Sequence, residues 1–119
     1  MQYMVLCCFD EKRWEELPQG ERERIMTEYG EWMEANRKGG RLRATGKLRP
    51  TATATTLRMK DAKRVITDGP FAETKEQLGG YHMIECKDLD EAIAVASRIP
   101  TLPAGGVVEV RPVETLFPA

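Results

Sequence analysis

The alternation of apolar and polar positions divides the chain into six strands and two helices. Met1 to Phe9 is almost unbroken in apolar residues and is followed by the polar run Asp10 to Trp14. Its length suits a strand, and apolar residues at both alternating parities predict a strand covered on both faces. From Glu21 to Lys38 the spacing changes. Ile25, Tyr29 and Trp32 recur at i, i+4 and i+7, with Met26 and Met33 widening the stripe, which predicts an amphipathic helix. Pro18 precedes its start, and Gly39-Gly40 supplies a left-handed stop. Arg41 to Arg49 then alternates, Leu42, Ala44, Gly46 and Leu48 on one parity, and Pro50 ends the strand. The segments ATATTLRMK and KRVIT flank Asp61-Ala62 and predict a hairpin with a tight turn. Gly80 to Lys87 is a further strand. Asp88, with Glu91 three residues on, is a capping-box variant. The helix it opens is expected to turn Leu89, Ile93, Ala96 and Ile99 inward and to stop at Pro100, before a last strand over Val107 to Val113.

Strand–helix–strand occurs twice in this order, with the hairpin between the two units. That is the ferredoxin-like βαββαβ pattern with an inserted β-hairpin: an α+β fold in which both helices lie on one face of an antiparallel sheet. All 119 residues read as one domain, long enough to bury roughly two-thirds of the unfolded surface. The helices cover one face, yet the first strand is apolar on both. A second copy of the same sheet is the simplest cover, so the expected assembly is a homodimer with sheets face to face, a dimeric α+β barrel.

Composition changes this picture little. Hydrophobic residues at 41% and charged residues at 31% are ordinary for a globular domain. The N-terminus has neither a basic leader nor a small-residue cleavage site, and no apolar run approaches the roughly 20 residues of a membrane span. Cys7 and Cys8 are adjacent in an apolar run and Cys86 is distant, so no zinc or redox spacing exists. Buried free thiols in a reducing cytoplasm are expected. Charge is more informative than its total of −1. Residues 37–64 hold ten basic residues against Asp61 alone, and the segments on either side are each acidic. A basic block can mark a nucleic-acid footprint. This one has no aromatic residue for base stacking. It reads first as a charged, edge-protecting hairpin face, and nucleic acid ranks last among partners.

The stretch TDGPFAETKEQLGG, Thr67 to Gly80, is longer than a turn requires. Taken with ATGKLRPTATATTLR, DLDEAIAVASRIP and GGVVEVRPV, it resembles the DGPF branch of the YCII-related family over nearly the whole chain. The resemblance implies a dimeric α+β barrel. The wider fold relatives include lactone isomerases and small monooxygenases, other YCII-type proteins have been viewed as enzymes using a His–Asp pair, and members of this branch often accompany genes for alternative sigma factors. One departure matters. The single histidine, His82, stands where the family usually has an aromatic residue, and no histidine lies between Glu21 and Lys38. The His–Asp pair does not carry over.

Asp68 is the residue nominated for acid–base catalysis, a carboxylate before Gly69-Pro70 at a strand end; its competing role is a turn-former. Gly69 and Pro70 read as backbone devices, and Phe71 as an anchor or a ligand-contacting ring. Lys75 is nominated to receive an anion. Strand parity sets Ile84 and Cys86 with His82, and Tyr81, Met83 and Glu85 on the other face; Val108 and Val110 oppose Glu109 and Arg111. If the valines meet the helices, Tyr81, Glu85, Glu109 and Arg111 face the inter-sheet space and line a ligand cleft or form a Glu–Arg bridge across the dimer. His82 reads as a hydrogen-bonded strand residue. No phosphate loop, dinucleotide fingerprint, metal-spaced cluster or nucleophile elbow is present, so no cofactor is expected. Two functions remain: a cofactor-independent, isomerase- or lyase-like enzyme acting on a small molecule in that cleft, or a non-catalytic small-molecule-binding or regulatory module partnered with a sigma factor.

Overall fold

The computed structural model of the chain describes residues 1–116. Strand β1 (Gln2–Phe9) leads into a short helix α1 (Glu11–Glu16) and a long helix α2 (Gln19–Lys38). Strand β2 (Leu42–Lys47) follows. Then come a 3-10 turn over Thr51–Thr53 and the hairpin strands β3 (Thr55–Lys60) and β4 (Lys63–Asp68). Strand β5 (Gln77–Glu85), helix α3 (Leu89–Ala96) and strand β6 (Val107–Pro112) complete the order. Four strands form an antiparallel sheet in the order β2-β5-β1-β6, and β3-β4 form a separate two-stranded sheet. The fold is α+β and ferredoxin-like with an inserted hairpin.

Helix α1 is absent from the sequence-based reading. Its six residues are too few for a periodic stripe, but Asp10 caps it, accepting hydrogen bonds from Lys12 N and Arg13 N. Helix α2 ends as expected, with Gly40 at φ +74 just beyond it. Asp88 caps α3 by accepting from Glu91 N at 2.9 Å. The inward face of α3 is only partly as expected: Ala96 and Ile99, beyond the helix end, are buried, but Ala92 and Val95 join them while Leu89 and Ile93 lie exposed on the other side. Small alanines at the contact let the helix approach the sheet closely, which a Leu/Ile face would not.

The core sits between the helices and one sheet face. Tyr3, Val5 and Ile84 from the strands, with Cys86 just beyond β5, meet Trp32 of α2 and the α3 residues. Trp32 Nε1 donates to Val95 O at 2.9 Å, joining the two helices. β2 does not keep the strict alternation its sequence suggests. Its register shifts between Leu42 and Ala44, so Leu42 packs on the core while Thr45, paired with His82, is set on the helix side. Gly46 pairs with Tyr81 on the other face, and the Tyr81 ring occupies the space a Cβ at 46 would need, within 2.7 Å.

Two surfaces lack cover. The sheet face away from the helices presents Met4, Leu6, Tyr81 and Met83, all only half-buried, with Leu78 and Val107 exposed at one end. The β3–β4 hairpin projects as an arm, turning through Asp61 and Ala62 at φ 49 and 63, a type I′ geometry that matches strand twist. The radius of gyration is 16.4 Å. A compact chain of this length would give about 13–14 Å.

Candidate functional site

Titratable groups meet inside the helix–sheet layer rather than on the open face. Tyr29 projects from the middle of α2, on the stripe between Ile25 and Trp32. Cys7 comes from β1 and His82 from β5, at the same parity as their buried neighbours Val5 and Ile84; Thr45 comes from edge strand β2. The four side chains form one hydrogen-bonded chain. Cys7 Sγ lies 3.3 Å from Tyr29 Oη, Tyr29 Oη lies 2.5 Å from His82 Nε2, and His82 Nδ1 lies 2.8 Å from Thr45 Oγ1. His82 is 3% exposed, and its ring packs 4.9 Å, centroid to centroid, from the Trp32 ring.

Burial sets the electrostatics. It holds the His82 pKa down at about 4, so the ring is neutral at neutral pH. Burial also pushes the Tyr29 phenol up, with the Cys7 contact adding to it, and pushes the Cys7 thiol up. Every member is therefore uncharged, and the chain can be protonated in two directions. In one, Cys7 donates to Tyr29, Tyr29 donates to Nε2, and Nδ1–H donates to Thr45. In the other, all three bonds reverse. Thr45 is exposed and Tyr29 half-buried, so the imidazole lies one hydroxyl below the surface. Seven residues before Tyr29 on the same α2 stripe, Arg22 Nε is buried with no hydrogen-bond partner among the described residues.

The residues nominated from sequence lie elsewhere. Asp68, at the end of β4, is exposed on the arm. Phe71 is 75% exposed, and Lys75 is exposed in the loop that returns to β5. Gly69 has φ +98, and its N–H donates to Ala54 O at 2.7 Å, which closes the base of the arm. Tyr81 and Glu109 share a row of the open face, each opposite Leu6 of β1. Glu109 pairs with Arg111 two residues along its own strand at 2.7 Å. Glu85 lies at the far end of β5, paired with the Met1 amino group. The open face thus joins Glu109 to Arg111 and sets Tyr81 beside them, whereas Asp68, Phe71 and Lys75 stand apart. A groove of about 1280 Å³ between α2 and α3, lined by Glu28, Glu31, Trp32 and Asp88 among others, contains none of the nominated residues. Among the described residues no His, Cys, Asp and Glu cluster could hold a metal ion, and no helix is long and apolar enough to cross a membrane.

Parity had already set His82 on the helix side, but nothing in the sequence paired it with Tyr29, 53 residues away. A helix stripe with a tyrosine in it, and a strand with a histidine at core parity, were the only signals.

The antiparallel sheet, the one-sided helices and the inserted hairpin define a ferredoxin-like α+β protein with a buried polar cluster at the helix–sheet contact. The chain belongs to the YCII-related domain family, whose pattern it matches over residues 1–116. It is 39% identical over 119 residues to a protein of Rhizobium meliloti (strain 1021) described only as uncharacterized, covering 99% of this chain and 96% of that one. Among solved structures it is similar to 5-chloro-2-hydroxyhydroquinone dehydrochlorinase (TftG) from Burkholderia phenoliruptrix AC1100, in complex with 2,5-dihydroxybenzoquinone. The TM-score is 0.52 at 15% identity, over 92% of this chain and 91% of that one. That likeness bears on the fold.

Proposed function

We propose that this chain is a cofactor-independent enzyme that moves protons on a small anionic or hydroxylated molecule, of isomerase or lyase type, and that it works as a homodimer. The observation that carries the reading is the neutral imidazole of His82, bonded at both nitrogens to hydroxyls and one side chain below the surface. A pKa of about 4 makes a weak base in the free protein. An anionic substrate beside it would stabilise the imidazolium and raise that pKa. Tyr29, whose phenol keeps its proton, is suited to donate a hydrogen bond to a developing oxyanion. The unpartnered Arg22 Nε on the same stripe favours an anion as well. The fold neighbour acts on a hydroxylated aromatic compound, by its description, which makes such compounds the first probes. In the dimer the open sheet faces meet, and Tyr81, Glu85, Glu109 and Arg111 line the space between them, on the side of the sheet away from His82.

The test is solvent exchange. The protein is incubated in D2O with 2,5-dihydroxybenzoquinone and a panel of polyhydroxybenzenes and β-dicarbonyl acids, and deuterium uptake is followed by NMR. We expect exchange above buffer for at least one compound, reduced roughly 100-fold or more in His82→Asn and Tyr29→Phe. Exchange lost in Asp68→Asn but kept in His82→Asn would move the acid–base role to Asp68. No exchange with any compound would sink the enzymatic reading.

A second reading is a non-catalytic binding or regulatory module tied to an alternative sigma factor. It is favoured by the same imidazole having both nitrogens already occupied. Recovery of a purified sigma factor at micromolar concentration, with no exchange chemistry, would select it.

A further inference from the structure

The arm carries an apolar face that its own chain leaves bare. Residues directly opposite in an antiparallel pair point to the same side. The register Thr55↔Asp68, Leu57↔Ile66, Met59↔Arg64 therefore gathers Leu57, Met59 and Ile66 on one face. They are 61%, 70% and 55% exposed. The other face is tied to the turn that leaves the arm. Thr56 Oγ1 donates to Gly69 O at 2.7 Å, and Arg58 Nη2 to Phe71 O at 3.0 Å. An isolated two-stranded hairpin is marginal in water. Three contiguous large aliphatic side chains on one call for a partner surface.

We propose that this face docks on the body of a second copy of this chain, as a reciprocal arm exchange continuous with the contact between the open sheet faces. The inference rests on the homodimer reading above and adds the arm to it.

Area supports a second copy. Four strands about 4.8 Å apart and some seven residues long, at about 3.3 Å per residue, make a sheet face of roughly 450 Å². Two such faces stacked bury roughly 900 Å², short of the roughly 1,200 Å² at which stable specific interfaces begin. Each arm face is roughly 200 Å² and covers as much of its partner, so two arms add roughly 800 Å² and bring the total into the standard range. The docking face is close to neutral: it carries Arg64 and Asp68 beside its apolar side chains, whereas Arg58, Lys60 and Lys63 lie on the opposite face of the hairpin. An apolar contact with the uncovered body of a second copy therefore needs no charge pairing beyond these two. A two-fold axis makes the exchange mutual and closes the assembly at two copies.

The experiment compares three proteins by sedimentation across a concentration series, with far-UV circular dichroism as the check on folding. They are the wild type, an arm variant with Leu57→Asp and Ile66→Asp, and a sheet variant with Met83→Asp. The wild type is expected at twice 13.5 kDa. The arm variant should keep its spectrum and dissociate with a constant raised roughly 100-fold. An arm variant that dimerises as tightly as the wild type, while Met83→Asp falls apart, would leave the sheet-to-sheet dimer standing and remove the arm from it. A wild-type chain that stays at 13.5 kDa throughout would overturn both.

Discussion

At the scale of single residues, burial decides the charge state of His82. Burial lowers its pKa from 6.5 to about 4 in the folded chain, so between those values the unfolded chain binds the proton that the folded chain does not. Stability from this group is complete above about pH 6.5 and is lost as pH falls toward 4. Unfolding in urea at several pH values should show this loss, and His82→Gln should flatten the slope between pH 6.5 and 4. An unchanged slope in the variant would place the titration on other groups. Tyr29 gives the imidazole its second role. Its hydroxyl bridges Cys7 and His82, so Tyr29→Phe removes the link between a thiol and an imidazole without emptying the core.

The arm is where individual elements separate in stability. β1 and β5 are held by a neighbour on each side, whereas β3 and β4 have only each other. The turn between them is costly, because Ala62 sits at φ 63, a region that glycine enters without the Cβ clash. Ala62→Gly should stabilise the hairpin by about 0.5–1 kcal/mol. Amide hydrogen exchange is the measurement, since protection should rise in β3 and β4 while β1 and β5 stay as they were. A rise spread evenly over both sheets would mean that the arm and the body unfold as one unit. Much of this level was legible in the sequence. Asp88 announced α3, Gly39-Gly40 announced the end of α2, and Asp61-Ala62 announced the turn. Ala96 and Ile99 were legible on the inward face of α3, but the rest of that face was not, because Leu89 and Ile93 outweigh Ala92 in any hydropathy pattern. Close packing against the sheet chose the small residues instead. The bulge in β2 was equally hidden, since nothing in alternating Leu, Ala and Gly marks where a strand slips by one residue.

The whole molecule is extended for its length and leaves an apolar sheet face and an apolar arm face bare. Both readings of the assembly bind the folded state to a second chain, so mass action should tie thermal stability to concentration. The melting temperature should rise over a hundredfold increase in protein concentration in the wild type, and the Leu57→Asp, Ile66→Asp variant should show a smaller rise. A melting temperature independent of concentration would speak for a folded monomer. The charge pattern also gains meaning at this scale. The basic block of residues 37–64 runs along the end of α2, edge strand β2 and the arm, while the acidic residues lie largely in the rest of the chain.

By itself the sequence determined the order of the six strands and of the two longer helices, the parity of β5 and β6, the inserted hairpin and the family, because each rests on local periodicity or on turn chemistry within a few residues. The DGPF stretch belongs to that level: Gly69 takes a positive φ and closes the base of the arm, and Asp68 stands exposed beside it. Only the tertiary structure decided which ionisable groups meet. Tyr29 and His82 are distant along the chain, and their contact depends on the placement of α2 over β5 and the register of β2 against β5, neither of which any single segment encodes. The same packing removed water from the imidazole and so set its charge.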